Sequence, residues 1–143
     1  MKYRFYGADN APLTPLNNLY PKIHQQFDLY DALSEIWCLD SCAPAYKKQW
    51  SKDNMTVGQC SITAFLVQDI FGGEVYGYPL KEGGYHCYNV INGVRIDLTS
   101  EQFGDEKLNY EDIYLQSRKE HFANQEKYER YLYLVNALKK YCL

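Results

Sequence analysis

The apolar positions near the start of the chain recur every three or four residues. Between residues 16 and 37 they are Ile23, Phe27, Tyr30, Leu33 and Trp37. This spacing is typical of an amphipathic α-helix, and Pro21 stands where the first turn of a helix tolerates proline. The pattern predicts a helix over residues 16–37, then a second short helix over residues 43–50 and a polar loop over residues 51–56.

Residues 60–71 are apolar on more than one side. The apolar positions are Ile62, Phe65, Leu66, Val67, Ile70 and Phe71. Such coverage is typical of a helix that is buried on most of its sides. Gly72 and Gly73 follow, and a glycine directly after the last turn is a common way for a helix to end. The sequence therefore predicts a buried helix that begins at Cys60.

Beyond residue 73 the chain changes to short runs rich in β-branched and aromatic residues. Residues 74–80, 85–91 and 94–99 are predicted strands, separated by turns at Gly83-Gly84 and Asn92-Gly93. Residues 124–141 return to helical spacing. Helices, then an antiparallel sheet, then a closing helix predict an α+β class for one domain over residues 1–143.

The Asn92-Gly93 turn sets a register for the central hairpin. Asn-Gly between two β-rich runs is the strongest short-range hairpin signal, and a two-residue loop would pair Ile91 with Val94. This register makes His86 and Asp97 diagonal neighbours on one face. Their α-carbons would be about 7–8 Å apart, so the imidazole and the carboxylate could meet.

Cys60 is the candidate nucleophile, because unpaired N–H groups at the start of a helix favour a thiolate over a thiol. A thiolate nucleophile needs a base, and the base needs an acceptor on its other ring nitrogen. Of the three histidines, His24 falls in the first predicted helix and His121 in a charged stretch. His86 is therefore the candidate base, and Asp97 is the candidate orienting group.

The predicted face of the hairpin that carries His86 and Asp97 holds two further polar side chains, Tyr88 and Arg95. The other face is largely apolar and should pack on the core. A polar face of this kind is well suited to line a cleft against Cys60. We therefore expect Tyr88 and Arg95 to be cleft-lining residues.

The composition narrows the classes of function. The chain has 143 residues, of which 46% are hydrophobic and 23% are charged, as in one ordinary globular domain. A net charge of -3 without long runs of one sign argues against nucleic acid as a partner. No run approaches the roughly 20 apolar residues of a membrane span, and residues 1–12 lack the features of a secretory signal. The sequence therefore predicts a cytoplasmic protein with no membrane partner.

The five cysteines are expected to stay reduced in that compartment. Packing is the default role for four of them, Cys38, Cys42, Cys87 and Cys142. An alternative is a zinc site that combines Cys38 and Cys42 with the His86-Cys87 pair. The usual paired spacing of zinc ligands is absent on both sides, so the sequence predicts no metal and no cofactor.

Several short motifs carry a resemblance to a known family. They are GQCSITA at residues 58–64, QD at 68–69, FGGE at 71–74, HCYN at 86–89 and DLTSEQF at 97–103. In this order they resemble the YunG-like family of uncharacterised bacterial proteins, over roughly the central third of the chain. The resemblance itself implies no substrate.

The arrangement of a helix-borne cysteine before a strand-borne histidine and aspartate also resembles the papain-like and transglutaminase-like superfamily. Ser61 stands where papain-type peptidases carry tryptophan, and Asp97 stands where they usually carry asparagine. Aspartate fits the transglutaminase-like branch better. Papain-type enzymes also place an oxyanion-binding glutamine six residues before the cysteine. Here that position holds Asn54, with Gln59 adjacent to the cysteine, and both are oxyanion-hole candidates.

The first functional hypothesis is a thiol-dependent acyl-transfer enzyme acting on a peptide or a small amide, with a Cys60, His86 and Asp97 triad. Peptidase, amidase and transglutaminase-like transferase all remain open. A second hypothesis is a non-catalytic module that holds a ligand on the His86, Tyr88, Arg95 and Asp97 face. A third is a protein that acts through a partner bound by its tyrosine-rich C-terminal helix.

Overall fold

In the computed structural model, which describes residues 2–143, helices pack against a four-stranded antiparallel sheet. The helices are α1 (Gln26–Ile36), α2 (Cys60–Phe71), α3 (Arg118–Phe122) and α4 (Gln125–Tyr141). The strands are β1 (Glu74–Pro79), β2 (Tyr85–Ile91), β3 (Val94–Ile96) and β4 (Tyr114–Leu115), in the spatial order β3-β2-β1-β4. This architecture confirms the predicted α+β class.

Helix α2 has the predicted bounds and is the buried centre of the fold. It begins at Cys60, and Gly72 follows its last residue with φ +86°, a conformation that glycine adopts without strain. Eight of its twelve residues are buried, because β2 packs on one side and α4 on another. The Asn89 side chain donates a 2.8 Å hydrogen bond to the Ala64 carbonyl and so ties β2 to α2.

The central hairpin has the predicted register. Ile91 pairs with Val94 and Asn89 pairs with Ile96, and the turn residues Asn92 and Gly93 both have positive φ. Strand β3 ends at Ile96, three residues earlier than predicted. The Asp97 N–H instead donates to the Tyr6 carbonyl at 3.0 Å, so the N-terminal segment takes over the pairing.

The two predicted N-terminal helices are shorter than expected. Residues 16–25 are not helical, because Leu16 bonds to the Ile70 carbonyl and the Gln26 side chain bonds the backbone of the segment before it. Residues 43–50 contain only a single 3-10 turn, Pro44–Tyr46. The Ala43 N–H donates to the Gly58 carbonyl at 2.9 Å, which ties this segment to the loop before α2.

The segment between the hairpin and α4 holds two elements that the sequence pattern missed. Strand β4 has two residues and pairs with β1, and α3 has five residues and is capped by the Ser117 hydroxyl. Neither element is long enough for a hydrophobic period to be visible in the sequence. Helix α4 begins one residue after the predicted start because Asn124 is its cap, accepting a bond from the Lys127 N–H at 3.1 Å.

The hydrophobic core lies between α1, α2, α4 and one face of the hairpin. A smaller apolar cluster sits beside the start of α2 and comprises Ala64, Phe65, Val75 and Cys87. The Trp37 indole N–H donates to the Thr63 hydroxyl at 3.0 Å, which joins the end of α1 to α2. Across residues 2–143 no helix has the length and apolar character needed to cross a bilayer.

Candidate active site

An open cleft of about 550 Å³ contains two of the three candidate catalytic residues. Cys60, at the first position of α2, and His86, in β2, both line it. Cys60 is partly exposed, whereas His86 is 1% exposed and presents only an edge to the cleft. Asp97 lies behind His86, away from the cleft, and is also 1% exposed. The fold therefore brings the thiol, the imidazole and the carboxylate together in the predicted order.

The His86–Asp97 pair is held by a buried hydrogen-bond network. The His86 Nε2 atom is 2.6 Å from Asp97 Oδ2, and the Tyr110 hydroxyl donates to the same oxygen at 2.6 Å. The other carboxylate oxygen accepts bonds from the Thr99 N–H and hydroxyl, both at 3.2 Å. The Phe103 ring packs edge-on against the imidazole, with a centroid separation of 4.7 Å. Because Nε2 is engaged, Nδ1 is the ring nitrogen left to act on Cys60.

This environment favours a protonated imidazole. Burial alone lowers the pKa of His86, but the Asp97 carboxylate and hydrogen bonding with Cys60 outweigh burial and raise it from 6.5 to about 10. In turn, the thiol of Cys87 and the imidazole of His86 hold the pKa of Cys60 well below its ordinary value, despite burial. The site therefore favours a thiolate and an imidazolium at neutral pH, the form in which a cysteine nucleophile is most reactive.

Cys87, which the sequence pattern assigned only to packing, lies beside Cys60 in the structure. Hydrogen bonding with Cys60, followed by burial, raises the pKa of the Cys87 thiol well above its ordinary value. Cys87 therefore stays a thiol that donates its proton toward the Cys60 thiolate. The HCYN motif thus holds the candidate base and Cys87 on consecutive residues of β2.

We expect Cys87→Ala to raise the pKa of Cys60 by about one unit, since a hydrogen bond to a charged group contributes about 1.5 kcal/mol or more. Cys87→Ser retains an O–H donor and should restore most of the shift. The pH midpoint of Cys60 alkylation measures the pKa directly, with Cys142→Ser as the control thiol substitution. An unchanged midpoint in Cys87→Ala would show that Cys87 only fills space.

The two predicted oxyanion-hole side chains do not face the cleft. Asn54 bridges back to Ser51 in the preceding loop, outside the cleft lining. Gln59 is fully buried, and its amide donates to the Cys38 carbonyl at 3.1 Å. The spacing argument failed because the loop before α2 folds inward. Within residues 2–143 the N–H groups of Cys60 and Ser61 have no acceptor, and these backbone donors can stabilise an oxyanion.

Tyr88 and Arg95 do not line the cleft either. The Tyr88 hydroxyl donates to Asp112 at 2.7 Å, and the Arg95 guanidinium forms an ion pair with the same carboxylate at 2.6 Å. Tyr88 is 1% exposed because Tyr110 covers its ring at a centroid separation of 4.7 Å. The polar face of the hairpin is thus closed by residues 110–112, which the sequence pattern did not place there.

Part of the cleft lining comes from the C-terminal part of the chain. These residues are Gln116, Glu120, His121, Lys127 and Arg130, and Gln102 also lines the cleft. Of these residues the sequence pattern singles out only His121, as a histidine in a charged stretch. The Gln102 amide donates to the Thr56 and Thr99 carbonyls at 3.4 and 3.0 Å, and so joins the loop before α2 to the segment that carries Asp97.

The thiols considered for zinc lie in separate environments. Cys42 is fully buried and its sulfur approaches the Ala43 carbonyl at 3.4 Å, while the Cys38 sulfur is 3.5 Å from the Tyr133 hydroxyl. Over residues 2–143 no three histidine, cysteine or acidic side chains are grouped in a way that could hold a metal ion. All five cysteines are free thiols.

The comparisons with known proteins agree on one family. The family profile described as "YunG protein" matches residues 25–142. The chain is 41% identical over 83 residues to "Uncharacterized protein YunG" of Bacillus subtilis (strain 168). The aligned stretch covers 57% of this chain and 70% of that relative. No solved structure matches. The match extends well beyond the central third that carries the motifs, and the chain belongs to the YunG family.

Proposed function

We propose that this protein is a thiol-dependent acyl-transfer enzyme with a small papain-like or transglutaminase-like core. The observation that carries the proposal is the buried 2.6 Å bond between His86 Nε2 and Asp97 Oδ2, directly behind a cysteine that opens onto a cleft. A buried histidine–aspartate pair that served only stability would not have to lie beside a cleft. An imidazole beside a half-buried thiol at a helix start, with a carboxylate on its other ring nitrogen, is the arrangement expected of a catalytic triad.

In the proposed reaction the Cys60 thiolate attacks the carbonyl carbon of an amide or peptide bond. The oxyanion accepts hydrogen bonds from the N–H groups of Cys60 and Ser61. The carbon–nitrogen bond then breaks, the His86 imidazolium gives its proton to the leaving amine, and a thioester on Cys60 remains. Asp97 keeps the imidazole in the orientation that presents Nδ1 to the sulfur.

The second half of the reaction regenerates the thiolate. The neutral His86 takes a proton from water or from an acceptor amine, which attacks the thioester carbonyl, and the carbon–sulfur bond breaks. Water as the acceptor gives a carboxylic acid, as in a peptidase or an amidase. An amine as the acceptor gives a new amide, as in a transglutaminase-like transferase.

The alternative of a non-catalytic ligand-binding module rested on a solvent-facing polar hairpin. Tyr88 and Arg95 instead bond to Asp112, and Asp97 has four partners, so these groups offer few free donors or acceptors to a ligand. A partner-binding surface on α4 stays a separate hypothesis, because the helix exposes Tyr128, Leu132 and Tyr133. Both alternatives predict a Cys60 without enhanced reactivity.

The test is the rate of iodoacetamide alkylation of each cysteine between pH 6 and pH 8, resolved by mass spectrometry on the native protein. A free thiol of pKa about 8.5 reacts about 75-fold faster at pH 8 than at pH 6, because the thiolate fraction rises by that factor. We expect Cys60 to change less than threefold over the same range. A Cys60 that reacts only after unfolding would overturn the proposal.

A further inference from the structure

The lining of the cleft holds a lysine in a fixed position. The Lys127 Nζ atom is 2.9 Å from the Nδ1 atom of His121, and the His121 Nε2 atom is 2.8 Å from the Gln116 side-chain oxygen. Because an amide oxygen only accepts, Nε2 carries the hydrogen and Nδ1 is the acceptor for the ammonium. The His121 ring thus holds the Lys127 cation at the wall of the same cleft that Cys60 lines.

His121 adds no charge of its own. Burial, reinforced by the nearby Lys127, lowers the pKa of His121 to about 4, so the imidazole is neutral at physiological pH. A neutral imidazole neutralises none of the lysine's charge. The pair therefore presents one positive charge with a defined direction rather than a flexible lysine on the surface.

Lys127 has no carboxylate partner within 4.0 Å among the residues that the structure describes. The neighbouring cation of the cleft, Arg130, differs in this respect, because it pairs with Glu126 at 2.7 Å and also donates to the Ser41 carbonyl. The carboxylates of the cleft, Glu82 and Glu120, are both exposed to solvent at its rim. The half-buried positive charge of Lys127 is thus available to a ligand.

The stability of α4 gives no reason for a lysine at this position. Lys127 lies in the first turn of the helix, where the macrodipole favours negative side chains and opposes positive ones by a few tenths of a kcal/mol or more. Its own N–H is already satisfied by the Asn124 cap. The position of Lys127 is better explained by the cleft that it lines.

We propose that Lys127 binds a carboxylate of the substrate, so that the enzyme acts on an amide or peptide that carries a carboxylate close to the bond to be cleaved. This inference rests on the proposed acyl-transfer function and gives that site its substrate class. The carboxylate would replace water around the ammonium and position the scissile carbonyl toward Cys60. His121 and Gln116 act as positioning residues for the lysine.

Two alkylating agents of nearly equal size test the proposal without a known substrate. Iodoacetate carries a carboxylate and iodoacetamide a neutral amide, so the ratio of their rates at Cys60 reports the charge that the reagent meets. Dividing the two rates removes differences in thiolate fraction. We expect Lys127→Gln and Lys127→Met each to lower the iodoacetate-to-iodoacetamide ratio about five- to tenfold at low ionic strength. The effect should shrink in 1 M salt.

The control is Lys139→Gln, which removes the same charge from an exposed position of α4 outside the cleft and should leave the ratio unchanged. Lys127→Arg should retain most of the wild-type ratio. The glutamine variant can still bond His121, so a folding defect in Lys127→Met alone does not obscure the result.

The outcomes separate this inference from the proposed function. A Cys60 that reacts rapidly with both reagents, at a ratio insensitive to Lys127, overturns the inference and leaves the acyl-transfer proposal standing. If the Lys127 variants lower the rate of Cys60 alkylation equally for both reagents, the inference is also overturned, because the lysine would then act only on the thiolate. A Cys60 that is inert to both reagents in the native protein overturns the two proposals together.

Discussion

Replacing His86 by glutamine is expected to convert a nearly flat pH profile of Cys60 alkylation into a steep one. In the proposed ion pair the His86 imidazolium helps to hold the pKa of Cys60 well below its ordinary value, so we expect the thiolate to persist below neutral pH. A thiol whose pKa returns to between about 7.5 and 8.5 loses about 25- to 75-fold in rate between pH 8 and pH 6. The slope of the profile is the quantity to measure, because it does not depend on the intrinsic nucleophilicity of the sulfur.

Glutamine is the informative substitution because it can still donate a hydrogen bond to the buried Asp97 carboxylate. His86→Ala leaves that carboxylate with one partner fewer and is the harsher variant, so urea unfolding of both variants should accompany the alkylation data. His24→Gln is the matched control, since His24 is exposed and lies outside the cleft. A profile that stays flat in His86→Gln would show that the imidazole is not the partner of the Cys60 thiolate.

The parts of the fold that could be predicted from the sequence are those with a strong local signal. Helix α2 is apolar on most sides and is followed by two glycines, and the hairpin has an Asn-Gly turn that leaves one register. Those two signals place Cys60 at a helix start and pair His86 with Asp97, whereas the packing of α2 against β2 brings the cysteine to the pair. The helix predicted over residues 16–37 failed because Gln26 and Leu16 bond to distant backbone groups, which no local period can show.

Much of the remaining candidate site comes from a segment with no periodic pattern. Residues 104–124 supply Tyr110 to Asp97, Asp112 to Arg95 and Tyr88, and His121 to the cleft wall. Their positions depend on tertiary contacts, so spacing along the chain does not reveal them. The oxyanion-hole prediction failed for a related reason. It used the six-residue spacing before the cysteine of papain-type enzymes, but that spacing brings a side chain to the cleft only when the loop has the same conformation.

The Tyr110 hydroxyl adds a second buried donor to the Asp97 oxygen that His86 contacts. Burial, followed by the neighbouring Asp97 carboxylate, raises the pKa of the Tyr110 hydroxyl, so this hydroxyl remains a donor at all physiological pH values. Asp97 therefore receives hydrogen bonds from an imidazole, a phenol, a hydroxyl and a backbone N–H. This network stabilises a buried negative charge and ties β2, the end of β3 and residue 110 together. The same carboxylate thus serves the proposed chemistry and the stability of the fold.

Asp97→Asn is accordingly expected to be the most destabilising single conservative change at the site. Breaking a buried ion pair by removing one partner costs about 3–5 kcal/mol, and the amide also presents N–H groups where the carboxylate only accepted. Asp112→Asn is the matched control, because the side chains of the Arg95–Asp112 pair are 36% and 27% exposed. The loss of an ion pair of that exposure costs about 1 kcal/mol or less. The free energy of unfolding in urea at pH 7 compares the two variants.

The pH dependence of the Asp97→Asn effect provides a second check. The pKa of His86 is raised from 6.5 to about 10 in the folded protein, so the stabilisation from its positive charge is complete below about pH 6.5 and is lost as the pH rises through 10. The difference in unfolding free energy between wild type and Asp97→Asn should therefore be smaller at pH 10.5 than at pH 7. Titration of other groups cancels in this difference. A difference that stays constant would mean that His86 is neutral in the native protein, and the thiolate–imidazolium pair would then be wrong.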